Sequence, residues 1–416
     1  MKLDVAMDFE VDGEPVDAKA GETVAVALVR SGRYVFGRSV KYHRPRGPVC
    51  FRARCEGCLM RVDGRPNTMT CRTLVKPGMK VTTQNVIGTA EYDLLSLTDW
   101  LYPKGIDHHH FWTRFRIPNA IMKAVARRIA GVGRIPDVAV EALAPRRSET
   151  DVLVVGAGIA GVTAANAAAK GGARVLLVDE DRFAGGEAQL LRDAGCPAPP
   201  LPTIGPPVVR RFGSTAVALF HEDASGEPVG GSVVLLESEG RIELVHARTV
   251  IVATGVTGGA LAFEGNDLPG VFTATGALAL LGQGIVPRSA VTVGEGPLLA
   301  ALGAALMRRG VQVVGPLPSA EVRATGDHQV RGVHHSKGTR SYHPSEWVVA
   351  GAPPSAALEI AVQGGATTHW NDGFVVEAND EGRTAGAGLF AVGSVTGRRG
   401  EAAAEQGRRA GEAAAS

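Results

Sequence analysis

Apolar and polar positions alternate from the start of the chain. Leu3, Val5, Met7, Phe9 and Val11 recur every second residue, the period of a half-buried strand, and Asp12-Gly13 supplies the turn of a hairpin returning through Val16. The period then changes: Val24, Ala27 and Leu28 share one face of a short helix that Gly32 stops, and a further hairpin turns at Asp63-Gly64. Between residues 88 and 147 the positions Leu94, Leu95, Leu97 and Leu101, then Ile121, Val125 and Ile129, keep a helical spacing. Pro136 and Pro145-Arg146-Arg147 mark the exit from this connector. Beyond it the apolar runs are continuous. Val152 to Val155 and Arg174 to Val178 read as buried strands flanking a helix from Gly161 to Lys170. Val233 to Glu237 and Ile242 to His246 form a meander joined at Glu239-Gly240, and Thr249 to Gly255 follows as TVIVATG. Another strand, turn, helix and strand begin at Ala290, and the chain closes with a strand reaching Gly393-Ser394 and a helix from Glu401.

The glycines between the first two buried strands have separate tasks. In GAGIAG, Gly156 permits the tight turn, Gly158 lets a pyrophosphate approach the backbone, and Gly161 lets the helix pack closely on the strand. The helix N-terminus, with Ile159 and Ala160 in its first turn, then faces a dinucleotide phosphate. Asp179 ends the next strand, where a carboxylate accepts hydrogen bonds from ribose hydroxyls, and Glu180 is the second candidate for that role. A lone GxGxxG is weak, but strand, turn, helix, strand and acid occur here in the right order. The second unit, VTVGEGPLLAALGAALMRRGVQVVG, keeps Gly294 and Gly296, replaces the third glycine within Leu298-Leu299-Ala300, and ends its strand at Val313-Val314-Gly315-Pro316 without a carboxylate. The fold is expected to persist there, while NAD(P) binding is doubtful.

Composition narrows the setting. The 416 residues are 45% hydrophobic with a net charge of +2, so disorder of the whole is excluded and no field calls for nucleic acid or an anionic membrane. No apolar run reaches transmembrane length and the first residues lack an apolar signal core, which points to the cytoplasm. Four of the five cysteines fall at Cys50, Cys55, Cys58 and Cys71, the spacing of plant-type [2Fe-2S] ferredoxins. Two irons need four converging thiolates, three of which one tight loop can supply. Zinc is the main competitor, but zinc sites usually pair CxxC with CxxC, and this set has a single CxxC. Cys196 has no nearby second cysteine with which to form a redox disulfide.

Cluster loops favour small residues between the first two ligands so that backbone N–H groups can face the sulfurs, so the insert Phe51-Arg52-Ala53-Arg54 makes an unusual loop. Arg52 and Arg54, with Arg44 and Arg46, either offset a negative cluster or form a solvated basic rim. Asp107-His108-His109-His110 invites a metal reading, but consecutive histidines on an extended segment point to alternate sides, which favours packing or contact with another chain.

The stretch RSGRYVFGRSVKYHRPRG resembles the N-terminal region of the alpha subunit of heterotetrameric sarcosine oxidase, and CFRARCEGCLMRVDGRPNTMTC resembles the cluster-bearing subunits of hydrogen cyanide synthase and opine dehydrogenase. The resemblance runs on through TTQNV, DHHHFW and the glycine fingerprint to the C-terminus. It implies an α/β two-dinucleotide-binding-domain flavoprotein: a Rossmann-like FAD domain with an inserted NAD-like domain, preceded by a β-grasp [2Fe-2S] domain. The boundaries expected are residues 1–90 for the cluster domain, 91–147 for the helical connector, 148–258 with 370–416 for FAD, and 259–369 for the insert. Gly185-Gly186 stands where related flavoproteins carry a Gly-Gly-Gln turn near the isoalloxazine, with Glu187 departing from it. Thr254-Gly255 resembles the return of the chain to the FAD domain. Gly393 matches a final Gly-Asp motif, with Ser394 in place of the aspartate.

By the same resemblance the chain is an electron-transfer subunit of an amine- or amino-acid-oxidising hetero-oligomer. Its partner would be a substrate-oxidising flavoprotein of the D-amino-acid-oxidase type, met through the Lys41 to Arg46 loop and the His108 to His110 segment. The alternatives are a self-sufficient NAD(P)H-dependent reductase and a scaffold subunit that has lost FAD.

Overall fold

Asp12 and Gly13 both adopt positive φ, 52° and 90°, the pair of angles that a two-residue hairpin turn requires. They join strands Ala6–Val11 and Glu14–Lys19 with Val11 opposite Glu14. The computed structural model describes residues 6–39, 43–86, 88–93, 117, 119–120, 143–222, 228–238, 240–259, 261–336 and 341–416. Most of the expected helical connector, the His108 to His110 segment, Lys41 and the meander residue Glu239 lie outside them.

The chain divides into two units, residues 1–140 with 260–352, and residues 141–259 with 353–416. In the first, a five-stranded sheet orders its strands Glu14–Lys19, Ala6–Val11, Lys80–Thr82, Leu59–Val62 and Arg65–Met69. The helix Val24–Arg30 buries six consecutive residues, Val24 to Val29, and Thr23 caps it by accepting from the Val26 amide at 3.4 Å. The same unit contains a four-stranded parallel sheet in the order Val271–Thr273, Trp347–Gly351, Ser289–Gly294 and Gln312–Leu317. Helices Ala274–Gly282 and Pro297–Arg308 connect its strands.

The second unit is built on a seven-stranded sheet. The expected meander strand and the buried TVIVATG run are one element, Arg241–Val252. Its first half pairs antiparallel with Pro228–Ser238, and from Glu243 to Val252 it lies parallel to Arg146–Val155. Its end pairs with Leu389–Ala391. The fingerprint helix runs Ile159–Lys170, starting earlier than expected because Gly158 is its N-cap, and the following strand is Val175–Asp179.

Two helices fix the glycine turn. Helix Gly400–Ala415 lies along Ile159–Lys170 so closely that a methyl group on Gly407 or Gly411 would overlap the carbonyl oxygen of Ala160 or Ala164. This explains the Ala- and Gly-rich composition of both. Residues 353–369, expected in the insert, pack with the second unit instead: Ile360, Ala361 and Ala366 join the core of Leu153, Leu219, Val234 and Val250. Among the described residues no helix is long and apolar enough to cross a membrane.

Candidate functional site

The cysteine loop solves its geometry with two residues in left-handed backbone. Phe51 and Ala53 take φ of 52° and 55°, a conformation that costs a non-glycine residue roughly 1–2 kcal/mol. In return the amides of Arg52 and Arg54 donate to Cys50 Sγ at 3.4 and 3.2 Å. The amides of Val49, Cys50 and Gly57 face Cys55, and that of Ala53 faces Cys71. Thus the large insert between the first two cysteines does not prevent the amide cradle, because only its backbone is used.

The four thiols fall two and two. Cys50 donates to Cys55 across 3.4 Å, and Cys71 is hydrogen-bonded to Cys58. Cys50, Cys58 and Cys71 are buried, while Cys55 is half-buried, and none of the five cysteines is in a disulfide. Within each pair one sulfur holds the shared proton. The thiol of Cys50 brings Cys55 down to about 5, with burial opposing it, and its hydrogen bond to Cys55 raises Cys50 itself. Cys58 is lowered and Cys71 raised by the same exchange. Metal entry must therefore displace the protons that the paired thiols share. Among the described residues no three His, Cys, Asp or Glu side chains are grouped to hold a metal ion. Two pairs of thiols suit a cluster in which each of two irons takes two thiolates better than a tetrahedral zinc centred on all four.

Of the basic rim, Arg44 and Arg46 reach toward Asp267, at 4.0 and 3.8 Å, so part of their charge is offset there. His43 of the KYHRPRG motif is turned inward. Its Nδ1 meets Asp93 Oδ2 at 2.8 Å, both side chains are buried, and its Nε2 has no hydrogen-bond partner. Buried Arg38 donates to the carbonyls of His43, Ala90 and Glu91, closing this clamp.

The second site is the glycine turn. Gly156 has φ of 106°, and a methyl group there would overlap the Ala253 carbonyl oxygen. At Gly161 it would overlap the Gly156 carbonyl oxygen. Gly158 is different: nothing lies within 4 Å of the place a Cβ would take, and its backbone faces a cleft of 270 Å³. Ala157, Gly158, Val162, Gly185, Thr203 and Arg210 line this cleft. Residues 201–205 are held over the fingerprint helix by Asn166, which donates to the Thr203 carbonyl and accepts from the Gly205 amide, both at 2.8 Å. Sequence reasoning did not anticipate Arg210, Asn166 or this loop; the one available signal was an asparagine in an otherwise small and apolar helix.

Asp179 is not free to point outward. Its carboxylate accepts from the Ala157 amide at 2.5 Å and the Asp181 amide at 2.7 Å, and burial pushes it up to about 6. It braces the turn, with lone pairs left over for a ribose. Glu180 is only half-buried beside it. Gly186, with φ of 52°, leaves a Cβ position 3.5 Å from the Gly158 Cα, so the Gly-Gly turn does lie beside the fingerprint.

Thr254 and Gly255 tie down a neighbouring segment. The Thr254 hydroxyl donates to the Ala357 carbonyl at 2.7 Å, and the Ala357 amide donates to the Gly255 carbonyl at 3.1 Å. Gly393 abuts Ala160, as expected if the last motif meets the first, and its amide donates to Gln406 Oε1 at 3.0 Å. Buried Gln406, which also accepts from the Thr396 hydroxyl, was not anticipated; Ser394 is half-buried beside it.

The profile of the 2Fe-2S iron-sulfur cluster binding domain matches residues 5–86, and that of FAD dependent oxidoreductases matches residues 151–190. The chain therefore carries a [2Fe-2S] domain and an FAD-dependent oxidoreductase domain. The alpha subunit of sarcosine oxidase from Rhizobium meliloti (strain 1021) is 31% identical over 317 residues, which cover 68% of this chain and 31% of that one. The HcnA subunit of hydrogen cyanide synthase from Pseudomonas aeruginosa is 39% identical over 84 residues, 19% of this chain and 75% of that protein. The chain thus spans about a third of the length of the sarcosine oxidase protein. Among solved structures, L-proline dehydrogenase from P. horikoshii superposes with a TM-score of 0.73 at 18% identity, covering 99% of this chain and 73% of that chain, a likeness of fold.

Proposed function

Because the chain belongs to the family that contains the alpha subunit of sarcosine oxidase, the HcnA subunit of hydrogen cyanide synthase and the corresponding subunit of opine oxidase, we propose that it is the electron-transfer subunit of a complex oxidising an amine or amino acid. The observation that carries this reading is the pairing of four thiols, two and two under backbone amides, in a chain that also opens a glycine-lined cleft. FAD would be held by Gly156, Gly158 and Gly161, with Asp179 and Ser394 at its polar groups. The cluster would be held by Cys50, Cys55, Cys58 and Cys71. FAD brings its own redox chemistry when bound, so the chain's residues need only bind, orient and shield it.

The substrate-oxidising step is assigned to a partner flavoprotein of the D-amino-acid-oxidase type in a cytoplasmic hetero-oligomer. Among the described residues, the titratable groups of the two sites are engaged within them: Asp179 in bracing the glycine turn and the four cysteines in their thiol pairs. The second glycine turn, without its third glycine or a strand-end acid, gives little support to direct reduction by NAD(P)H.

Chemical analysis and stopped-flow absorbance test this together. Anaerobically purified protein should hold about two irons and two acid-labile sulfides per chain, with one FAD. Neither NADH nor NADPH, nor sarcosine, glycine, proline or opines, should bleach the flavin of the isolated chain within seconds. Rapid bleaching by NADH would replace the relay with a self-sufficient reductase, and bleaching by an amine would remove the need for a partner. Stoichiometric zinc without iron would sink the cluster assignment.

A further inference from the structure

The insert contains a dinucleotide-type sheet whose own glycine turn is altered, yet three of its residues grip three consecutive residues of the cysteine loop. Val49 is held by Thr273: its carbonyl accepts from the Thr273 amide at 3.1 Å, with the Thr273 hydroxyl at 3.4 Å. Cys50 is held by Gly276, in the first turn of helix Ala274–Gly282. A methyl group on Gly276 would overlap the Val49 carbonyl oxygen and stand 3.2 Å from both Cα and the carbonyl carbon of Cys50. Phe51 is held by Phe272, ring centroids 5.9 Å apart. Phe272 is itself fixed: it is fully buried, 5.2 Å from the Trp347 ring and 6.2 Å from that of Tyr34. The Trp347 Nε1–H donates to the Tyr34 hydroxyl at 3.1 Å.

These contacts act on the strained residue. Phe51 has the positive φ that turns the Arg52 amide onto Cys50 Sγ. Its ring, anchored on Phe272, offsets the cost of that backbone. Resting on the assignment of the four cysteines to a cluster, we propose that Thr273, Gly276 and Phe272 are positioning residues for the cluster, and that this part of the insert serves as the back wall of the iron-sulfur site. The contact is made by the junction of strand Val271–Thr273 with helix Ala274–Gly282, which is separate from the glycine turn at Gly294 and Gly296.

The consequence is electrostatic. N–H···S hydrogen bonds favour the more negative, reduced cluster and so raise its potential. Moving the Val49–Cys50 peptide weakens the bonds from Arg52 and Arg54 and lowers the potential.

The test uses full-length protein carrying both cofactors, with Gly276→Ala, Thr273→Val and, as a control on the same unit's other helix, Gly303→Ala, where a Cβ meets nothing within 4 Å. Iron and sulfide content, the EPR spectrum of the reduced cluster and its midpoint potential are measured. Gly276→Ala should retain the cluster, change the EPR g-values and shift the reduction equilibrium about tenfold toward the oxidised form, ~59 mV for one electron. Thr273→Val, which removes the hydroxyl that faces the Val49 carbonyl and caps the helix at the Gly276 amide, should shift both readouts less in the same direction, Thr273→Ser should restore them, and Gly303→Ala should leave them unchanged. Should Gly276→Ala lose the cluster altogether, the Thr273 pair decides the matter through the same readouts. Wild-type spectra and potentials in Gly276→Ala or in Thr273→Val overturn the inference. A wild-type chain without iron and sulfide overturns the cluster assignment itself, a result told apart at the first measurement.

Discussion

The chain contains the same strand, glycine turn and helix twice, and the two copies place their small residues differently. In the first copy the small residue is on the helix: Gly161 packs against the Gly156 carbonyl and Ala253. In the second the equivalent helix position is Leu299, buried at 4% exposure, and the small residue has moved to the neighbouring strand, where Gly351 leaves room for the Leu299 side chain. The first copy ends its next strand with Asp179, bracing the turn through the Ala157 amide; the second ends with Gly315-Pro316-Leu317. Packing can be satisfied with the glycine on either partner, so the fold survives the exchange. Phosphate approach rests on the second glycine, and Gly296, like Gly158, has nothing within 4 Å of the place a Cβ would take. What the second copy lacks is a carboxylate at the end of the adjoining strand.

The largest expected effect breaks the first copy. Gly161→Leu drives a side chain into the Gly156 backbone, which has no rotamer to yield. The loss should exceed about 4 kcal/mol, in the range reserved for severe overpacking, and urea unfolding or failure to accumulate soluble protein reads it. Soluble protein of wild-type stability would mean that the helix does not approach the turn as closely as described. In the second copy the equivalent residue is already large, so the informative change is the reverse. Leu299→Ala should cost about 2–5 kcal/mol through the cavity it leaves. It should create no affinity for NADH, measured by fluorescence titration, because no carboxylate ends the adjoining strand. Measurable NADH binding by Leu299→Ala would show that a single side chain closed the second site.

How much of this was legible follows the range of the interactions. Asp12-Gly13 and Asp63-Gly64 were readable as turns because both residues of each pair take positive φ, a local demand with a local signature. GAGIAG and the cysteine spacing were readable for the same reason. The loop insert misled: Phe51-Arg52-Ala53-Arg54 looks too large for a sulfur cradle until its backbone amides are seen to face the sulfurs and Phe272, more than two hundred residues on, to hold the ring of Phe51. Residues 353–369 were assigned to the insert because their apolar positions do not say which core they join, and Ile360 and Ala361 chose the core of the second unit. Arg210, Asn166 and Gln406 act through contacts across the sequence, and no local pattern announces them.

Asp179 offers a third, smaller contrast, since the second copy has nothing that titrates in its place. Burial raises this carboxyl from 3.8 to about 6. The folded chain therefore binds its proton more tightly than the unfolded chain. The stability tied to it is fully present below the unfolded value, and it falls as pH rises toward 6. The loss amounts to about 3 kcal/mol once both states are ionised. Asp179→Asn cannot ionise, so the stability difference between wild type and variant should drift by roughly that amount between pH 4 and pH 7 in urea titrations of flavin-free protein. A difference that stays constant over this interval would show that the amide hydrogen bonds to the carboxylate offset the cost of its burial.

The smallest expected effect on the fold is the most telling for function. Gly158 has φ of −69° and ψ of −176°, backbone that any residue adopts, and the space before it is open. Gly158→Val therefore meets no steric bar. It forfeits only the modest preference for glycine over a branched residue at a helix N-cap, a change of under about 1 kcal/mol. In the pyrophosphate's path, however, the valine methyls would occupy the position through which a phosphate oxygen reaches the amides at the start of the helix. Flavin occupancy, measured from the absorbance of purified protein, should fall to near zero while the urea midpoint of the flavin-free chain stays close to wild type. Gly161→Leu would instead lose both together. Full occupancy in Gly158→Val would place the phosphates elsewhere, and the first glycine turn would then differ from the second in packing alone.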